Sequence, residues 1–142
     1  LMELRPTALT DAPFETLLRQ LAAAQSDRVA IGVTAHGNPG GPLPPEVQLN
    51  LYRIAQEAIS NIVRHAQAEC AAIELHLGPE GGALIISDDG AGFSTDAVAP
   101  HHFGLTLMRE RAESVGASFE VASAPGAGTR ISLRWGTLEA SA

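Results

Sequence analysis

A carboxylate and an amide stand four residues apart at Glu57 and Asn61, ahead of an acidic glycine turn, Asp88-Asp89-Gly90-Ala91-Gly92. Gly104-Leu105 and Gly128-Thr129 follow. Taken singly, these have ordinary explanations. A polar helix stripe is usually a solvated face, and a DxGxG string is often a turn. A calcium loop would explain two aspartates, but the acidic residues an EF-hand needs farther on are missing. In this order they suit a metal-bound nucleotide held without a P-loop. An amide oxygen at Asn61 is a sufficient protein ligand for Mg²⁺, which keeps waters and takes phosphate oxygens besides. Glu57 could orient or deprotonate a nucleophile, and Arg64 and His65, a turn on, could meet phosphate charge. Asp88, after an apolar strand, could accept the exocyclic amine of adenine, with Gly90 and Gly92 letting backbone approach the base. Gly104 opens a helix whose first N–H groups could seat phosphate. Thr129 matters only if its hydroxyl faces Asp88.

The elements that must position these groups follow from periodicity. At about 100° per residue, Asn50, Arg53, Asn61 and Arg64 fall within about 40° of Glu57. Leu51, Ile54, Ala55, Ala58, Ile59 and Ile62 take the opposite side. The spacing predicts a long helix from Pro44-Pro45-Glu46 to about Ala66, with proline and a carboxylate in its first turn. Residues 11–26 read as one helix, with Thr10 or Asp11 as cap. Residues 29–34 read as a strand. Ile73, Leu75 and Leu77 alternate with polar residues and pair with Ala83–Ser87 in a hairpin about Gly78–Gly82. Residues 93–103 are irregular and predict a mobile lid. A helix runs from Gly104 to about Val115. Phe119–Ala122 and Arg130–Trp135 form a second hairpin. The expected fold is an α/β (α+β) two-layer sandwich, a mixed, mostly antiparallel sheet with helices on one face.

Composition sets limits. With 142 residues and 45 % apolar content, the chain suits one globular domain. The boundaries expected are residues 1–10 as the end of a preceding element, 11–136 as the domain and 137–142 as a tail. All nine basic residues are arginine. Without lysine, neither a Walker A loop nor a protein-kinase third strand can form. A net charge of −7 argues against nucleic acid. A lone Cys70 favours a reducing compartment, hence a cytoplasmic domain. No membrane span or signal peptide is legible. His36, His76, His101 and His102 show no zinc spacing and read as surface or loop residues.

The run Leu51-Tyr52-Arg53-Ile54-Ala55-Gln56-Glu57-Ala58-Ile59-Ser60-Asn61-Ile62-Val63-Arg64-His65-Ala66 resembles the N box of sensor histidine kinases of the nitrate-sensor-like subfamily. Ser87 to Phe93 resembles their G1 box, Phe103 to Ala112 their G2 box, and Gly126 to Thr129 their closing glycine-threonine motif. Glu3-Leu4-Arg5-Pro6 more loosely resembles the exit from their dimerisation helices. The resemblance implies the Bergerat (GHKL) ATPase fold with a flexible ATP lid. It implies Mg²⁺ on Asn61, the adenine amine on Asp88, and a pocket and lid shaped by Gly90, Gly92, Gly104 and Leu105. Arg64 and His65 would face phosphates, Thr129 the adenine, and Glu57 would be the candidate base. It also implies partners: ATP, a histidine-containing dimerisation domain and a downstream response regulator. The parent would be a homodimer that could be anchored in a membrane, and this chain alone a monomer. Two departures stand out. His102 replaces a glycine frequent in the G2 box, and none of the five histidines sits in an acceptor context. The rival readings are another GHKL ATPase or anti-sigma-type serine kinase, and a degenerate partner-binding module.

Overall fold

A computed structural model describes residues 6–38, 42–94 and 104–136, with residues 6–8 described as backbone only. Its elements are α1 Pro6–Asp11, α2 Phe14–Ala23, β1 Ala30–Gly37, α3 Pro45–His65, β2 Cys70–Leu77, β3 Gly81–Asp88, α4 Leu105–Ser114, β4 Ser118–Ser123 and β5 Thr129–Gly136. The strands form one sheet in the order β1-β2-β3-β5-β4. Only β1–β2 is parallel; the remaining pairs are antiparallel. The mixed, mostly antiparallel sheet expected from the sequence is therefore present.

The apolar stripe of α3 explains the layering. Leu51, Ile54, Ala55, Ala58 and Ile59 are essentially buried, and on the sheet so are Ile73, Leu75, Leu84, Ile86 and Leu133. Each fully buried Leu or Ile contributes about 1.5–3 kcal/mol of transfer free energy, which makes this helix–sheet contact the centre of the core. Pro45 lies in the first turn of α3, where its missing N–H removes no helical bond. Glu46 in the first turn and Arg64 and His65 in the last complement the helix dipole.

Two expectations change. In place of one helix over residues 11–26, α2 covers only Phe14–Ala23, and a separate α1 over Pro6–Asp11 precedes it, the two parted at Ala12-Pro13. Proline disfavours helical backbone in the residue before it, and Pro13 itself is extended, with φ −58° and ψ 141°. Leu9 of α1 is fully buried in the core. Gln48, a buried polar side chain of α3, donates from Nε2 to the carbonyls of Leu9 (2.9 Å) and Ala12 (2.7 Å). Residues 6–12 are thus packed onto α3. The first strand also runs on to Gly37, because β1 pairs with β2 over its whole length, from Ala30 opposite Cys70 to Gly37 opposite Leu77. This register brings His36 and His76 together on the sheet, their rings stacked at 4.9 Å. His101 and His102, and most of the segment expected to form the lid, lie outside the described residues.

Candidate functional site

Asp88 ends β3 and is paired across the sheet with Thr129, the first residue of β5. Directly opposed residues of an antiparallel pair project to the same face, here the face covered by α3. Between α3 and this end of the sheet lies a cleft enclosing about 490 Å³, open solvent at its mouth included. Asn61 and His65 line it from α3, Asp88 and Thr129 from the sheet, Gly92 from the turn after β3, and Leu105 from the start of α4. These six were singled out by the sequence, and the structure brings them to one place.

Asp88 is only partly exposed. Burial raises its carboxyl above the ordinary value of 3.8, opposed by the backbone N–H groups of Gly90 and Thr129 and reinforced by the charge of Asp89. Gly90 N–H donates to Asp88 Oδ1 at 2.7 Å, which aims the carboxylate. Asp89 does something different. Its Oδ1 accepts the backbone N–H groups of Glu69 and Cys70, both at 3.0 Å, tying the turn after β3 to the start of β2. Those bonds, that of Cys70 foremost, hold its carboxyl below the ordinary value.

The glycines serve close packing within the protein. A Cβ on Gly90 would collide with the Ala66 carbonyl just beyond α3, and Ala91 N–H donates to that same carbonyl at 2.6 Å. A Cβ on Gly92 would collide with the Ala124 carbonyl. Both glycines are thus needed by the protein's own packing, whatever they also allow in the cleft. They let the turn press against the end of α3 and the β4–β5 hairpin, and only Gly92 reaches the cleft wall.

Besides Gly90, three expected residues sit outside the cleft lining. Arg64 is exposed and turns back along its helix to Ser60 Oγ at 3.4 Å. Glu57 lines an adjacent polar hollow with Arg53, Gln56, Ser60, Leu107, Met108 and Arg111. Gly104 meets it there: a Cβ on Gly104 would stand 2.9 Å from Glu57 Oε1. Gly104 also caps α4 in the left-handed conformation, with φ 70°.

Other lining residues were not legible as functional. Ala58, Ile62, Ala66, Ile86, Phe93 and Ile131 give the cleft apolar walls suited to the face of a flat aromatic ring. Most belong to stripes that also build the core, so periodicity cannot separate the two uses. Ser123 was missed as well. Its Oγ bonds Thr129 Oγ1 at 2.9 Å, the Gly128 carbonyl at 3.0 Å and the Phe93 N–H at 2.9 Å. A lone serine near a strand end carries no sequence signal. Among the described residues, no group of three His, Cys, Asp or Glu side chains could hold a metal ion.

Residues 46–138 match the family of histidine kinase-, DNA gyrase B- and HSP90-like ATPases. The sensor protein VraS of Staphylococcus saprophyticus is 37 % identical over 134 residues, covering 94 % of this chain and 38 % of that protein. VraS of Staphylococcus aureus is 35 % identical with the same coverage. The chain thus spans well under half the length of these curated relatives. Among solved structures, the histidine kinase domain of the blue-light activated histidine kinase of Erythrobacter litoralis superposes with a TM-score of 0.67 at 22 % identity, over 88 % of this chain and 61 % of that one. The Acinetobacter baumannii histidine kinase AdeS gives 0.66 at 15 % identity, over 89 % and 66 %. With the site's geometry and the family match in agreement, the chain belongs to the histidine kinase-, DNA gyrase B- and HSP90-like ATPase family.

Proposed function

We propose that this chain is the catalytic ATP-binding domain of a sensor histidine kinase, holding Mg-ATP for transfer of its γ-phosphate to a histidine on a separate dimerisation domain. The observation that carries the reading is the pairing of Asp88 with Thr129 on one wall of an apolar cleft whose facing wall presents Asn61 and His65. A carboxylate at one end suits the adenine amine, and an amide and an imidazole at the other suit a metal-bearing phosphate chain. Among family members, the similarity to the VraS sensor proteins favours a sensor kinase over an anti-sigma-type serine kinase.

The chemistry then falls largely to positioning. Asp88 would orient the purine through its amine, while Ile62, Ile86 and Ile131 would exclude water from its faces. Asn61 would offer its amide oxygen to Mg²⁺. The donor set fits that ion, since one protein oxygen with phosphates and waters suffices and, among the described residues, no softer ligand cluster competes. Mg²⁺ would supply neutralisation of phosphate charge. The first N–H groups of α4, beyond Gly104 and Leu105, would meet phosphate oxygens. In the transfer, the bond from the γ-phosphorus to its bridging oxygen breaks, a bond to the acceptor imidazole nitrogen forms, ADP departs and the imidazole gives up a proton. Glu57 remains the proposed proton acceptor. Its position against Gly104, at the root of α4 and outside the cleft lining, supports a place beside the phosphates and away from the base. Arg64, exposed and one turn beyond Ser60 on the same helix, would reach phosphate from outside the cleft.

On this reading residues 11–136 are the catalytic domain, residues 1–10 the end of the preceding element and residues 137–142 a tail. A response regulator receives the phosphoryl group downstream. The domain is cytoplasmic and monomeric, within a homodimeric parent that could be anchored in a membrane. No helix among the described residues is long and apolar enough to cross one. Titration of a fluorescent ATP analogue, with and without Mg²⁺, tests the reading. Saturable binding that Mg²⁺ strengthens and unlabelled ATP reverses is expected. Absence of nucleotide binding would identify a degenerate partner-binding module instead.

A further inference from the structure

Ser123 stands at the join of three segments. Phe93 follows the turn after β3, Gly128 belongs to the β4–β5 turn, and Thr129 lines the cleft. A serine hydroxyl has one proton to give and two lone pairs to receive with. The Phe93 N–H at 2.9 Å can only donate, so it occupies one lone pair. The Gly128 carbonyl at 3.0 Å can only accept, and Gly128 is buried, so the serine proton goes there. The remaining contact, Ser123 Oγ to Thr129 Oγ1 at 2.9 Å, must then be donated by threonine. The opposite order would send the serine proton to Thr129 and leave the buried carbonyl without that donor. The order Thr129 to Ser123 to Gly128 satisfies every group.

We infer that Ser123 is a positioning residue that sets base specificity by drawing the Thr129 proton away from the cleft. Thr129 then presents only lone pairs beside Asp88, its cross-strand partner, whose carboxylate also only accepts. Facing C6, the Asp88 and Thr129 side chains then offer acceptors only, which favour an amine there and reject a carbonyl. Without Ser123 the threonine hydroxyl is free to turn and donate to that carbonyl. This inference rests on the adenine reading of the cleft and assigns a residue that does not itself line it.

The experiment compares ATP with inosine triphosphate, which differs at C6 in having a carbonyl for the amine and a protonated N1. Binding is measured by displacement of a fluorescent nucleotide from the parent chain, Ser123→Ala, Ser123→Thr, Thr129→Val and the double variant. The parent should prefer ATP strongly. Ser123→Ala should narrow the ATP-to-inosine ratio by a factor of about five, the worth of one ordinary hydrogen bond. Ser123→Thr, which keeps the hydroxyl, should restore the parent ratio. In the Thr129→Val background Ser123→Ala should leave the ratio unchanged, because the proton it governs is gone. A parent that binds both triphosphates equally overturns the adenine reading and the inference with it. A discriminating parent whose ratio survives Ser123→Ala, with both affinities falling together, overturns the role of Ser123 alone. Should Ser123→Ala fail to fold, Ser123→Cys carries the same test, since a thiol is a weak donor and acceptor; an unchanged ratio there also overturns it.

Discussion

The two ends of the proposed nucleotide site are built differently. At the end proposed for the base, backbone presses on backbone: Gly90 against Ala66, Gly92 against Ala124, and Gly128 against the Asp88 carbonyl. Short hydrogen bonds stitch the same segments, Ala91 N–H to Ala66 and Gly126 N–H to Ala91, both at 2.6 Å. At the end proposed for the phosphates, just outside the cleft lining, Gly104 meets the tip of one flexible side chain, Glu57, and Arg64 lies exposed on the outside of its helix. The lesson is one of preorganisation. A flat base of fixed shape rewards donors and acceptors locked by the scaffold, whereas a flexible triphosphate can be met by groups that settle around it.

The sharpest way to break this comparison is a methyl group at each end. Gly128→Ala would drive a Cβ into the Asp88 carbonyl at φ +73°, and it should destabilise the fold by about 3 kcal/mol. Gly104→Ala has the same left-handed backbone at φ +70° but displaces only the Glu57 carboxylate, so about 1–2 kcal/mol is expected. Urea unfolding of both variants measures the difference. Equal losses would mean that the two ends are equally rigid.

Next in size is Asp88→Asn. Loss of a charge-assisted hydrogen bond should weaken ATP binding by about 1.5–3 kcal/mol, while the fold is retained or slightly stabilised because a partly buried charge is removed. The pH dependence has two opposite signs. Burial raises the Asp88 carboxyl above 3.8, so the folded state holds this proton more tightly than the unfolded chain. Its contribution to stability therefore falls as pH rises from the ordinary value through the raised one. ATP affinity should move the other way, declining as pH drops through that raised value, because a protonated carboxyl loses the charged acceptor. Calorimetric titration of parent and Asp88→Asn across the acid range checks both. An identical acid decline of ATP affinity in the two proteins would remove Asp88 from the base site.

Asn61→Ala should act only through the metal. Its expected effect is loss of the Mg²⁺ enhancement of ATP binding, with Mg²⁺-free binding little changed, since one oxygen ligand is lost and the base end is untouched. A magnesium titration that matches the parent would count against the assignment. Arg64→Ala should do least. The side chain is exposed and its bond to Ser60 is long, so a stability change within about 0.5 kcal/mol is expected by thermal denaturation. A larger loss would show that the phosphate end is tied more firmly than its contacts indicate.

Local patterns in the sequence sufficed for α3, with its apolar stripe opposite Glu57 and Asn61. They sufficed too for the alternating β2–β3 hairpin, the turn after Asp88 and the start of α4 at Gly104. Each depends on residues a few positions apart, where helical and strand periods and turn chemistry operate directly. The break at Pro13 was also a local signal, outweighed by the run of apolar residues on its C-terminal side. The parallel pairing of β1 with β2 was beyond such reading, because a crossover through α3 separates them. So was the work of Gly90 and Gly92, whose neighbours Ala66 and Ala124 come from other segments. Arg64 and Asn61 share a stripe by angle, yet the structure sets Asn61 in the cleft lining and Arg64 outside it; a helical wheel contains no neighbouring wall. Ser123 shows the limit most clearly. Its three partners lie up to thirty residues away, and only the folded chain brings the Phe93 N–H, the Gly128 carbonyl and the Thr129 hydroxyl within reach of one oxygen.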